Sequence, residues 1–317
     1  MLKNKSIVSI DDVSESDISE IFSVSDRMLN ALEAGKKLEM LNGKIMATLF
    51  YEPSTRTRLS FESSMHRLGG SVISVSDVKS SSVAKGETLA DTIRMAESYS
   101  DVIVIRHPLE GAARLASKFS TKPVINAGDG SGQHPTQTLL DLYTMRKYFG
   151  KIDGLRIAMV GDLRYGRTVH SLLLALSNFD VEVTLISPQI LKMPEHIRER
   201  LGKNIKVTSR ENLDEKMDEF DVFYVTRIQK ERFTDQNEYN SVIGLYSIDA
   251  DTVGKMKKNA IIMHPLPRVD EIKPEVDYLP NAAYFKQAFY GIPVRMALLS
   301  MILVVAYDAY GSIWCNK

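Results

Sequence analysis

The stretch Lys44-Ile45-Met46-Ala47-Thr48-Leu49-Phe50, followed at once by Tyr51-Glu52-Pro53-Ser54-Thr55-Arg56-Thr57-Arg58, sets the reading of the whole chain. A short apolar run closed by a turn signal reads as a buried strand. The stretch from Thr55 to Leu68 reads as a helix stopped by Gly69-Gly70. Where a strand hands over to a helix, the first backbone N–H groups point outward and the macrodipole favours an anion. Ser and Thr hydroxyls add neutral donors, and Arg56 adds a planar fork matched to phosphate oxygens. An ordinary Ser/Thr cap with two exposed arginines uses the same residues, so a phosphate site and a plain cap are both open here.

The same handover recurs along the chain. Val72 to Val75, Val102 to Ile105 and Val124 to Asn126 read as strands, with helices over Thr88 to Tyr99, Ala112 to Phe119, and Pro135 to Gly150. The second half repeats the style, with strands at 156–160, 181–186, 205–208, 222–225 and 260–263 and a helix over 168–179. Strand-helix alternation in both halves predicts an α/β protein of two domains, each a parallel sheet flanked by helices. The helix end at Tyr148-Phe149-Gly150 marks the boundary. The expected domains are 1–149 plus 287–317, the C-terminal helix returning to the first, and 150–286.

Bulk properties narrow the function. A chain of 317 residues suits two domains, and 44% hydrophobic with 25% charged residues argues against disorder. Lys+Arg and Asp+Glu are both 40, so no basic surplus points to nucleic acid, and an anion must be drawn by a local cation cluster. The single cysteine, Cys315, excludes an intrachain disulfide and a cysteine-based zinc site. Lys3 and Lys5 are followed by acidic and Ser residues without an apolar core, so no signal peptide is expected. The apolar run Met296 to Tyr307 is too short for a bilayer and reads as a buried helix. The expectation is a soluble cytoplasmic protein with no cofactor or metal.

In open α/β sheets, ligands bind at the carboxyl ends of strands. Glu52 to Arg58, Arg106-His107-Pro108, Gln133 to Gln137, Gly161 to Arg167 and Thr226 to Gln229 each follow a strand, and their coincidence on one kind of edge carries more weight than any one of them. Gly161-Asp162-Leu163-Arg164-Tyr165-Gly166-Arg167-Thr168 mimics the glycine spacing of a P-loop, but Arg167 stands where that loop has lysine. A nucleotide site there is the weaker reading.

Phe50 to Thr57 resembles the signature of the carbamoyltransferase family, which includes aspartate and ornithine carbamoyltransferases. Ser81 with Lys85-Gly86-Glu87-Thr88, Arg106-His107-Pro108, His134-Pro135-Thr136-Gln137 and His264-Pro265-Leu266-Pro267-Arg268 recur in the family's order. The resemblance implies that Ser54, Thr55, Arg56 and Thr57 bind the phosphate of carbamoyl phosphate. It implies that Arg106 touches phosphate and carbonyl oxygen, that His134 is a second donor to that oxygen, and that Gln137 meets the carbamoyl amino group. Arg56, Thr57, Arg106 and His134 are the implied catalytic set. Leu266 and Pro267 complete the carbamoyl phosphate site, and Leu266-Pro267 is a candidate cis bond. Ser81 and Lys85, also carbamoyl phosphate ligands by this resemblance, are similar to residues that reach a neighbouring subunit's site, which implies a homotrimer with shared active sites.

The second substrate is decided elsewhere. Aspartate brings two carboxylates and suits two cationic forks, whereas ornithine brings a cation that such forks repel. Thr226 to Arg232 and His264 to Pro267 resemble the aspartate branch, with Lys85, Arg167, Arg227 and Gln229 as implied aspartate ligands. Glu52 resembles the carboxylate that joins Arg167 and Arg232 on domain closure; capping of the Ser54-Thr55 turn is its plainer role. Carbamoyl transfer to another amine such as ornithine, and a non-catalytic ligand-binding homologue, stand as alternatives. The family's catalytic trimers occur alone or joined by zinc-containing regulatory chains, and the sequence leaves both open.

Overall fold

A computed structural model of the chain describes residues 2–75, 85–228, 233 and 235–303. They form two compact units, one from the described residues up to Leu140 with those from Phe289 onward, the other from Asp141–Ala288.

In the first unit α1 (Glu15–Glu33) precedes β1 (Ile45–Phe50), α2 (Thr55–Arg67), β2 (Ser71–Val75), α3 (Leu89–Tyr99), β3 (Val102–His107), α4 (Ala112–Phe119) and β4 (Val124–Asp129). There α5 (Pro135–Phe149) begins, and its later turns belong to the second unit. The strands lie in the order β2-β1-β3-β4, all parallel. The strand order reverses between β1 and β3, so the crevice at their carboxyl ends is the switch point where such sheets take ligands. Ala47, Leu49, Ile103 and Ile105 pack under Ile93 and Ala96 of α3 and Ala113 and Ala116 of α4. Each large apolar side chain buried this way contributes about 1.5–3 kcal/mol. The edge strand β2 is different: Ile73 and Val75 are exposed.

The second unit runs β5 (Arg156–Val160), α6 (Arg167–Leu176), β6 (Val181–Ile186), α7 (Glu195–Arg198), β7 (Ile205–Arg210), β8 (Val222–Val225), α8 (Gln236–Val242), α9 (Ala250–Gly254) and β9 (Ile261–Met263). Its parallel order, β7-β6-β5-β8-β9, reverses between β5 and β8. Central strands β5 and β8 are buried almost throughout, as expected where helices cover both faces of a parallel sheet. The last helix, α10 (Tyr284–Leu303), starts in this unit, and from Phe289 on it belongs to the first. There it packs against α1, and Ser64 Oγ donates to the Ile292 carbonyl at 3.1 Å.

The α/β reading with two parallel sheets and a returning C-terminal helix therefore holds. The structure adds α1, which the sequence reading left unassigned, and starts α10 twelve residues before Met296, with Pro293 inside it. No described helix is long and apolar enough to cross a membrane.

Candidate active site

In the first unit the switch point collects Glu52 and α2 after β1, Arg106 at the end of β3, and His134 and Gln137 after β4. Ser54 is the N-cap residue of α2 by backbone conformation, yet its side chain makes no capping hydrogen bond. The caps of α1, α3 and α9 do make one, through Ser14, Thr88 and Asp249. No acidic residue occupies the first turn of α2 either, so the positive end of its dipole meets hydroxyls and Arg56 instead. Thr55 and Arg56 are exposed and Thr57 is buried. A plain Ser cap is thus not what this segment forms.

Register fixes the neighbouring arginine. Arg106 lies beside Phe50, and the Tyr51 N–H donates to the Arg106 carbonyl at 2.9 Å. Glu52 then meets Arg106 as an ion pair, Oε2 to Nε 3.3 Å. The β3–β4 register shifts between Ile105 and His107, and such a bulge re-aims the side chain beside it. Arg106 Nη1 reaches the Ala127 carbonyl at 3.5 Å. Asp129, almost fully buried, holds the following turn by accepting from the Gln133 and Gly111 N–H groups at 3.0 and 2.8 Å. That turn delivers His134, 3% exposed, and Gln137, whose N–H donates to the His134 carbonyl. His107, edge-on to Tyr51, is held below the usual imidazole pKa by burial, against the pull of Glu52 and Asp129.

In the second unit Arg167 opens α6 after β5, and Arg227 follows β8, so both flank the reversal between those strands. Gly161, at φ +111, is required there: a Cβ would overlap the Thr226 carbonyl oxygen of the neighbouring strand end. Buried Asp162 accepts from the Arg164 and Tyr165 N–H groups at 3.1 and 2.9 Å and shapes the loop into α6. Gly166 caps α6 without a side-chain acceptor.

Beyond β9, the Leu266-Pro267 peptide is cis and Leu266 has φ +54. A side-chain-bearing residue keeps that left-handed conformation only where its surroundings hold it. His264 does so: its Nδ1 accepts the Leu266 N–H at 2.8 Å, which leaves Nε2 to donate to Glu271 Oε1 at 2.7 Å. The ring is therefore neutral and Glu271 ionised. Burial pushes the Glu271 carboxyl up, but the bonds from His264 and from the Val269 and Asp270 N–H groups bring it below the usual range.

These placements can now be set beside known proteins. Residues 5–147 match the family model for the aspartate/ornithine carbamoyltransferase carbamoyl-P binding domain, and residues 153–302 match its Asp/Orn binding domain. The chain belongs to the aspartate/ornithine carbamoyltransferase family. The aspartate carbamoyltransferase catalytic subunit of Thermoplasma acidophilum is 69% identical over 303 residues, 96% of this chain and 99% of that protein. The catalytic subunit of Methanocaldococcus jannaschii aspartate transcarbamoylase gives a TM-score of 0.87 at 59% identity, covering 94% of this chain and 97% of that one. Aspartate transcarbamoylase of Trypanosoma cruzi, in complex with carbamoyl phosphate and aspartate, gives 0.92 at 45% identity, covering 96% and 98%.

Within the family frame, the residues expected to hold carbamoyl phosphate divide between the two sheets. Ser54, Thr55, Arg56, Thr57, Arg106, His134 and Gln137 sit on the carboxyl rim of the first, and Leu266 and Pro267 on that of the second with Arg167 and Arg227. Lys85 is exposed just ahead of α3. Ser81, Gln229 and Arg232 lie outside the described residues. Sequence reasoning did not single out Glu271, Tyr224, Asp141 or Gln287. One signal for Asp141 was available: a carboxylate set in the apolar run Leu139 to Tyr143.

Proposed function

We propose that this chain transfers the carbamoyl group of carbamoyl phosphate to the amine of L-aspartate, releasing phosphate and N-carbamoyl-L-aspartate. The observation that carries the reading is the α2 start, an uncapped helix N-terminus with hydroxyls and Arg56, beside Arg106 across the β1–β3 switch point. Free N–H groups and fixed guanidinium forks suit a phosphate dianion. The acceptor reading draws on Arg167 and Arg227 at the other switch point, and on relatives whose names specify aspartate.

In the proposed reaction the neutral amine nitrogen attacks the carbamoyl carbon, a tetrahedral oxyanion forms, and the carbon–oxygen bond to phosphate breaks, the departing phosphate taking the proton that the nitrogen loses. No covalent enzyme intermediate is involved. Ser54, Thr55, Arg56 and Thr57 hold the phosphate, Arg106 and His134 donate to the oxyanion, Gln137 meets the carbamoyl amino group, and Leu266 and Pro267 complete the carbamoyl phosphate site. Stabilisation comes from pre-positioned donors aimed where charge develops. Arg167, Arg227 and Gln229 hold aspartate, and Glu52 with Arg167 and Arg232 forms the closing pairs. The product is an early intermediate of pyrimidine synthesis, and the enzyme works in the cytoplasm.

The same reading makes the working form a homotrimer whose sites borrow Ser81 and Lys85 from a neighbour. Exposed Ile73 and Val75 on edge strand β2 support a second copy covering that edge. Mixing an inactive Arg56→Ala protein with an inactive Lys85→Ala protein under exchanging conditions restores part of the activity if sites are shared; no recovery rules sharing out. The function itself is tested by phosphate release with carbamoyl phosphate plus aspartate, then plus ornithine. Release with aspartate alone is expected. Release only with ornithine, or with neither, overturns the reading.

A further inference from the structure

The second unit contains a buried chain of hydrogen bonds that the reaction described above does not use. Asp141, on α5, has no exposed surface. Its Oδ2 accepts from the Tyr224 hydroxyl at 2.8 Å, and its Oδ1 accepts from Gln287 Nε2 at 2.6 Å. Thr168, the residue after Arg167, hydrogen-bonds the Tyr224 oxygen. On the other side Gln287 Oε1 accepts the His264 N–H at 2.8 Å, and His264 Nδ1 accepts the Leu266 N–H.

The proton directions in this chain are fixed. The His264 N–H can only donate, so the Gln287 carbonyl must face it and the Gln287 NH2 must turn to Asp141 Oδ1, while the Tyr224 hydroxyl donates to Oδ2. Burial of a carboxylate is unfavourable unless its donors are kept, which holds both partners to these directions. Two elements that carry substrate ligands in the proposed reading, the α6 start and the Leu266-Pro267 turn, are thereby held to one anchor.

We infer that Asp141 is a positioning residue for the reaction, orienting Arg167 through Tyr224 and Thr168 and the Leu266-Pro267 turn through Gln287 and His264. The inference rests on the function proposed above. Asp141→Asn has the same shape but carries one donor and one acceptor, so it cannot accept from both partners. If its NH2 faces Gln287, that amide must flip and present NH2 to the His264 N–H, donor against donor. If it faces Tyr224, the hydroxyl must turn away.

The test is steady-state kinetics on the full chain with carbamoyl phosphate and aspartate, together with calorimetric binding of inorganic phosphate. For Asp141→Asn the aspartate KM is expected to rise about ten- to a hundredfold, the range of one lost bond to a charged group, with a lower kcat. Phosphate binding should stay as in the unaltered protein. A residue that merely stabilised the fold would lower the active fraction, reducing kcat and phosphate stoichiometry together at constant KM; that result overturns the inference. The double variant Asp141→Asn with Gln287→Glu restores the directions, because the new carboxylate can accept from both the new amide NH2 and the His264 N–H. Recovery of most of the KM change is expected, and failure to recover counts against the relay. Should Asp141→Asn not fold, Tyr224→Phe cuts only the Thr168 arm, and an unchanged aspartate KM there overturns the inference. If the unaltered protein transfers nothing to aspartate, the proposed function falls and takes the relay with it; if it transfers normally and the variants keep their KM, the relay alone falls.

Discussion

In the proposed function, the two switch points meet different binding problems with the same topology. In the first unit, the ends of β1 and β3 bring together an uncapped helix start, hydroxyls and the Arg106–Glu52 pair. In the second, the segments leaving β5 and β8 carry Arg167 at the start of α6 and Arg227 after β8, with Gly161 and buried Asp162 between β5 and α6. A phosphate is compact and takes many donors from one side, which one helix start supplies. A dicarboxylate has charges several bonds apart, and two forks, one opening the helix after β5 and one following β8, fit it better. The comparison teaches that α/β geometry fixes where a ligand sits, while the spacing of its cations fixes which ligand.

The largest expected effect tests the first half of that statement. Arg56→Ala removes a fork from the helix start, and turnover should fall by about two to three powers of ten. Calorimetry should show phosphate binding weakened in parallel. Near-normal turnover would mean that the α2 start is an ordinary helix end.

Next in size, Arg227→Ala should raise the aspartate KM about ten- to a hundredfold while phosphate binding persists. Damage to both ligands alike would break the division of labour between the two sheets.

How much of this was legible in the sequence follows from the same contrast. Strand ends and helix starts were readable because apolar runs in a parallel sheet are nearly continuous and the turn residues punctuate them. The α2 start was readable as a cation-rich segment, but only coordinates distinguish a Ser54 that caps from one that does not. Helix α1 was legible but unread: Ser14 and Asp17 form a capping box, and Ile18, Ile21, Phe22, Met28 and Leu29 follow the helical period. The first half of α10 was hidden by Gly291 and Pro293. The pairing of Asp141 with Gln287 was beyond reach for another reason: the two are 146 positions apart, so even the carboxylate visible in an apolar run does not name its partner.

A smaller effect bears on the second sheet alone. Gly161→Ala places a methyl group against the Thr226 carbonyl and strains a backbone at φ +111, so unfolding free energy should drop by roughly 1–3 kcal/mol. Thermal unfolding measures it. A neutral result would mean that β5 and β8 can part at their carboxyl ends, loosening the spacing between Arg167 and Arg227 on which the comparison depends.

The smallest effect lies in the first unit and is a matter of sign. His107 is neutral in the fold because burial lowers its pKa from 6.5, with Glu52 and Asp129 opposing that shift. The unfolded ring therefore takes a proton before the folded one does. The stability gained from a neutral His107 is complete above pH 6.5 and is lost as pH falls through the lower folded value. His107→Gln should flatten this part of the curve in urea unfolding measured across that window, relative to the unaltered protein. A protonated ring would also compete with Arg106 for Glu52, so turnover should decline over the same window in the unaltered protein and less in the variant. If the two curves coincide, the ion pair at the first switch point does not depend on a neutral neighbour, although His107 Nδ1 accepts the Leu109 N–H at 3.0 Å just as His264 Nδ1 accepts that of Leu266.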